Sequence, residues 1–195
     1  MIPSKKSKMS PTEYLEIERE ATYKSEFFDG EMFAMAGGSF RHNIIKDNLF
    51  LELGNRLKGS PFRPISSDQR ILVSAAGLYT YPDIVVLCGQ PIFDARDKDT
   101  LTNPTAIIEV LSPTTERYDR GDKFRNYQKI DSLKEYVMVY QDEPLCERFV
   151  RQEDGSWALV SFVGLSASLV FTSVSASIPL ADVYAGVTFP DGQLQ

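Results

Sequence analysis

The chain has 195 residues, 43% hydrophobic and 25% charged, a composition that suits a single globular domain with a sizeable core. Its formal charge of −6 argues against general adhesion to phosphate polymers, whose nonspecific affinity comes from Lys and Arg displacing counterions, so a nucleic-acid role needs a local patch or a metal. No window approaches the ~20 apolar residues of a membrane helix, and "MIPSKKSKMS" has no apolar stretch behind its lysines, so a cytoplasmic protein without membrane contact is expected.

In chain order, residues 1–9 read as a polar tail, 10–190 as one domain and 191–195 as a second tail. "SPTEYLEIERE" opens a helix, with Ser10 as N-cap, Pro11 in the first turn and Glu13 closing a capping box. "YKSEFFDGEMFAMAGG" reads as a hairpin turning on Asp29-Gly30, with Glu26 and Glu31 half-solvated and Phe27 and Phe28 in the core. A long helix over roughly 40–58 carries Ile45, Leu49, Leu53 and Leu57 on one stripe and stops at Gly59.

Candidate strands follow at "FRPISSDQRILVS", "YTYPDIVVLCG" and "PTAIIEVLS", the last two apolar enough to be buried on both faces. Asp68 is expected to point outward, and a polar loop joins Gly89 to Asn103. "YDRGDKFRNYQKI" signals a second helix with Asp119 as cap and Asp122 in its first turn. After "KEYVMVYQD", period-two alternation predicts a C-terminal antiparallel meander. Cys88 and Cys146 lie in apolar runs and are expected as free, buried thiols. The order implies an α/β chain of α+β type, a mixed sheet with flanking helices.

Much chemistry is excluded. His42 is the single histidine, so two-histidine catalysis and His-rich zinc sites are absent, and neither a phosphate loop nor a dinucleotide turn occurs. What remains is a pair of misplaced acids. Asp83 in "YPDIVVLCG" and Glu109 in "AIIEVLS" each interrupt apolar strand residues, where desolvating a lone carboxylate costs several kcal/mol. If the two strands are neighbours, the acids converge on one divalent cation, and hard oxygen ligands suit Mg²⁺ or Mn²⁺. Lys123 borders the apolar face of the following helix and is placed to send its ammonium toward the sheet edge, there to orient a water or neutralise developing charge. The plainer alternative is a solvated lysine paired with Asp119 at i,i+4, worth only ~0.2–0.5 kcal/mol.

Pro82-Asp83, followed 26 residues later by Glu109, resembles the PD-(D/E)XK nuclease superfamily. The span from Tyr14 to Pro190, through "FFDGEMFAMAGGSFRH", "YPDIVVLCG", "PTAIIEVLSPTTERYDRGDKFRNYQKI" and "LKEYVMV", is similar to the Uma-type family of putative restriction endonucleases. The resemblance implies a restriction-endonuclease-like core and a Mg²⁺- or Mn²⁺-dependent endodeoxyribonuclease. Asp83 and Glu109 would be its metal ligands, Asp83, Glu109 and Lys123 its catalytic set, and Glu31 and His42 the edge of its site. Leu111 stands where the superfamily usually has lysine, and the Uma-type pattern assigns that place to Lys123. Arg63, Arg70, Arg117, Arg120 and Arg125 are candidates for local positive potential toward DNA. Two rivals stand beside this: a catalytically silent module of the same fold, dimerising through the C-terminal meander, and a metal-free glycosidase using the two acids.

Overall fold

The computed structural model describes residues 8–189. Helix α1 (Pro11–Glu20) leads to β1 (Ser25–Phe28), β2 (Glu31–Ala34) and α2 (Phe40–Arg56). Next come β3 (Phe62–Ser66), β4 (Ile71–Val73), β5 (Leu78–Thr80), β6 (Ile84–Cys88), β7 (Phe93–Asp94), β8 (Asp97–Leu101) and β9 (Pro104–Val110). A helical segment then runs through α3 (Glu116–Tyr118), a π-helical turn (Asp119–Lys123) and α4 (Phe124–Tyr127). The chain continues with β10 (Glu135–Val139), β11 (Leu145–Arg151), β12 (Trp157–Val163), β13 (Ser168–Phe171), β14 (Ala176–Pro179) and α5 (Leu180–Val183).

Two six-stranded sheets organise these elements, in the orders β2-β1-β5-β4-β8-β7 and β12-β11-β10-β9-β6-β3, with β13-β14 as a separate pair. Both sheets are mixed, because β9 and β10 run parallel in one and β4 and β8 in the other. The second sheet is covered on both faces, and its strands alternate accordingly. Ile84, Val86, Ile108, Val110, Val137 and Val139 meet the apolar stripe of α2. Val85, Ile107, Tyr136 and Met138 face the other way, toward Phe124 and Tyr127. A smaller cluster of Tyr14, Leu15, Phe27, Leu72 and Tyr79 seats α1 on the first sheet.

The capping box at Ser10 and Glu13 forms, and Asp29 and Gly30 adopt the positive φ that their turn requires. Other expectations need correction. "YTYPDIVVLCG" is two strands: β5 and β6 belong to different sheets, and Pro82, which has no N–H to give a ladder, lies at the crossing. "FRPISSDQRILVS" divides the same way into β3 and β4, and the expected loop of 89–103 carries the hairpin β7–β8. The meander is limited to β10–β12, while β13 and β14 pair only with each other. The thiols are both free, but Cys88 is exposed; only Cys146 is buried. Phe28 is 38% exposed rather than core. Residues 1–7 and 190–195 of the expected tails and domain end lie outside the described residues, whereas Lys8 and Met9 are tied to the β1–β2 turn through Asp29 and the Gly30 carbonyl.

Candidate active site

The pairing of β6 with β9 determines where the two acids sit. Their register runs Ile84↔Ile108, Val85↔Ile107, Val86↔Ala106, and one step further it sets Asp83 opposite Glu109. Alternation puts Glu109 on the face of Ile107, away from α2. The acids are joined through backbone: the Asp83 N–H points to Glu109 Oε2 at 3.4 Å, and the Val110 N–H donates to Asp83 Oδ2 at 2.8 Å.

Lys123 reaches Glu109 from the helical segment. Its Nζ lies 2.9 Å from Glu109 Oε1, 3.2 Å from Asp119 Oδ1 and 3.5 Å from Glu26 Oε1, and the residue is only 5% exposed. The π turn makes this possible, for it buries Asp119 and Lys123 while Arg120 and Asp122 stay outside. Tyr127 OH donates to Glu109 Oε1 at 2.8 Å, Tyr118 OH to Glu26 Oε2 at 3.1 Å, and Thr80 Oγ1 also bonds Glu26. The Lys123 ammonium sits 5.9 Å from the centre of the Tyr118 ring, within cation–π range.

His42 approaches from the first turn of α2, with Nε2 3.1 Å from Asp83 Oδ2. Its Nδ1 is buried without a partner among the described residues. Gly38 permits this position, since a Cβ there would lie 2.5 Å from Nδ1, and that close approach accounts for the second glycine of "MAGGSF".

The electrostatics are unbalanced. Asp83, Glu109, Glu26 and Asp119 surround one ammonium and one imidazole. Burial, with the nearby carboxylates of Asp119 and Asp83, outweighs the pull of Lys123 and raises Glu109 to about 8. Burial alone would discharge Lys123, but Glu109, Tyr127, Asp119 and Glu26 hold its pKa well above the ordinary value. His42 is likewise lowered by burial yet raised overall, chiefly by its bond to Asp83.

Residues 11–181 match the Uma2 family, described as "Putative restriction endonuclease". The chain belongs to the Uma2 family. Two Synechocystis proteins are related across most of their length: slr1290, 35% identical over 93% of this chain and 94% of its own, and sll1609, 34% identical over 84% and 93%. A crystal structure described as a putative nuclease belonging to DUF820, from Anabaena variabilis, superposes with a TM-score of 0.71 over 88% of this chain and 94% of that one. At 18% identity that likeness establishes the nuclease-like α+β fold.

The donor chemistry of the candidate site, carboxylate oxygens, is of the kind a hard divalent ion takes. Among the described residues no three His, Cys, Asp or Glu side chains are placed to hold a metal together. Mg²⁺ needs only one or two protein carboxylates, however, and this site has a surplus of buried negative charge. Asp83 Oδ1 has no hydrogen bond among the described residues, and Glu109 Oε2 has only the long contact from Asp83.

Of the other sequence candidates, Glu31 is exposed on β2 and touches none of these groups through a polar contact among the described residues. Asp119 does not cap; its carboxylate is turned inward onto Lys123. The solvated alternative for Lys123 is ruled out by its burial. Glu26, expected to be half-solvated, is 8% exposed and belongs to the cluster. Arg70 is buried against Asp97, Arg120 is engaged by Glu147 at 2.5 Å and the exposed Arg125 by Asp122 at 3.1 Å, which leaves Arg63 and Arg117 as exposed candidates toward DNA with no ion pair among the described residues. Asp68 does point outward, 3.0 Å from Lys24.

Proposed function

We propose that this Uma2 chain is a Mg²⁺- or Mn²⁺-dependent endonuclease that hydrolyses phosphodiester bonds in DNA. The observation that carries the reading is the meeting of Asp83 and Glu109 across β6 and β9 with the Lys123 ammonium 2.9 Å from Glu109. Asp83 and Glu109 would hold the ion, which when bound supplies Lewis acidity and positive charge.

The chain's own groups act around that pair. Lys123 is kept charged by its acidic neighbours, so it serves as a fixed cation and hydrogen-bond donor toward charge building on the phosphoryl group; it does not accept a proton. Tyr127 orients Glu109, and His42 orients Asp83. Glu26 and Asp119 hold the ammonium in place.

The test is cleavage of supercoiled plasmid in Mg²⁺, Mn²⁺ or EDTA by wild type beside Asp83→Ala, Glu109→Ala and Lys123→Ala. Nicked and linear products are expected only with metal and only from wild type. Equal cleavage in EDTA would remove the metal from the mechanism. An inert wild type that still binds Mn²⁺ would make the chain a silent module of the nuclease fold.

A further inference from the structure

The hairpin β1–β2 has one face in the core and, on the other, exposed aromatic rings beside the buried Glu26. Its register pairs Glu26 with Phe33 and Phe28 with Glu31, and residues directly opposed across antiparallel strands project to the same side. Phe27 and Met32 occupy the opposite side, against Tyr14 and the α1 cluster. Glu26, Phe28, Glu31 and Phe33 therefore share the face on which Glu26 meets Lys123. On it, Phe28 is 38% exposed and Phe33 49%, and Tyr118, whose hydroxyl bonds Glu26, is 36% exposed.

Three aromatic rings thus border the candidate catalytic cluster without being part of the core. The chain is poorly equipped to hold DNA by its phosphates. It carries a formal charge of −6, and Arg41, Arg56, Arg70, Arg120 and Arg125 are each engaged by a carboxylate, which leaves Arg63 and Arg117 of the candidates named above. Glu31 on the same face would repel phosphate. Stacking avoids this difficulty, because every base has a π-face and the contact does not depend on counterion release. Bases inside an intact duplex are already stacked on one another and cannot offer that face.

We propose that Phe28, Phe33 and Tyr118 form a stacking rim for unpaired bases, so that the preferred substrate is DNA with single-stranded character: single strands, gaps or flaps. The inference rests on the nuclease reading and names the substrate class of the same site.

The test uses fluorescence anisotropy and cleavage with three DNAs of equal length: a single strand, a gapped duplex and a fully paired duplex. The single strand carries a 2-aminopurine, whose emission reports stacking. Wild type should bind and cut the single-stranded and gapped forms in preference to the duplex and should quench the 2-aminopurine. Phe28→Ala and Phe33→Ala should each weaken single-strand binding about ten-fold and relieve the quenching, whatever the base sequence. Phe33→Trp should restore both, and Leu51→Ala, an exposed apolar residue of α2, should change neither.

Equal cleavage of all three DNAs, unchanged by Phe33→Ala, would overturn the rim and leave the nuclease intact. Single-strand binding lost in Phe33→Ala but accompanied by no cleavage in any metal would uphold the rim and overturn the nuclease. Sedimentation showing a dimer that Phe33→Ala dissolves, with single-strand binding unaltered, would mean that a second copy covers this face and would also overturn the rim.

Discussion

Two buried polar clusters lie on either side of Tyr81-Pro82-Asp83, and they are built on different principles. On the first sheet, Arg70 donates to Asp97 at 2.5 Å and to Thr100 and Tyr81 at 2.8 Å each, Arg19 reaches the second oxygen of Asp97 at 3.5 Å, and Tyr81 donates to Glu18 at 2.8 Å. Two arginines meet two carboxylates there. At the other cluster four carboxylates meet Lys123 and His42. Burial of charge is tolerated where partners match it and becomes a stored liability where they do not. A cluster that retains unmatched negative charge is shaped for something that arrives from outside the chain, and this distinguishes the candidate site from the structural pair.

Substitutions should separate the two clusters cleanly. Glu109→Gln is expected to bring DNA cleavage to background while leaving thermal stability near that of wild type, since Glu109, raised to about 8, is largely protonated at neutral pH and the amide matches that form in shape and charge. Arg70→Met should do the reverse. It leaves Asp97 buried with only the long 3.5 Å ion pair to the half-exposed Arg19 among the described residues, a loss of up to about 3–5 kcal/mol, with cleavage per folded molecule retained. Thermal melts and plasmid assays on the same preparations check both. A Glu109→Gln protein that melts as early as Arg70→Met would show that the candidate site is also a structural pair. Smaller is the effect of His42→Asn, which loses the group orienting Asp83. Cleavage should fall by about 10–100-fold, as when an outer partner of a metal ligand is removed, and Mn²⁺ affinity should fall with it.

The same contrast explains what the sequence disclosed. Asp83 and Glu109 were legible because an acid inside "IIEVL" violates the pattern of a buried strand, and Ser10, Glu13, Asp29 and Gly30 were legible because their work is local. Glu26 was not, because in "SEFFDGE" it looks like the polar position of an alternating hairpin strand; what buries it is Lys123, which arrives from 97 residues further along the chain. Asp119 resembles a cap by type, and only the π turn rotates it inward beside Lys123. Arg70 and Asp97 are 27 residues apart in segments that read as one long strand and a loop, so their pairing depends on a sheet boundary that Pro82 hints at without locating. Cys88 was misjudged because it ends β6, where the apolar run leaves the core. Local signals survive in sequence; partners supplied by topology do not.

The weakest expected effect concerns acid. Burial pushes Asp97 up, but the Thr100 hydroxyl and the Arg70 guanidinium more than offset this and hold its carboxyl below the ordinary range. The folded side chain therefore binds its proton less readily than the unfolded one, whose value lies near about 3.9. Its contribution to stability is complete above that value and fades as pH falls below it through the lower folded value. Asp97→Asn should thus melt earlier than wild type at about pH 6, and the gap should begin to narrow once pH falls below about 3.9, closing as wild type becomes protonated at its lower folded value. Melting curves across that range decide the matter. A gap that stays constant would mean that Asp97 serves the fold through hydrogen bonds indifferent to its charge, and the first cluster would then no longer stand as the charge-matched half of the comparison.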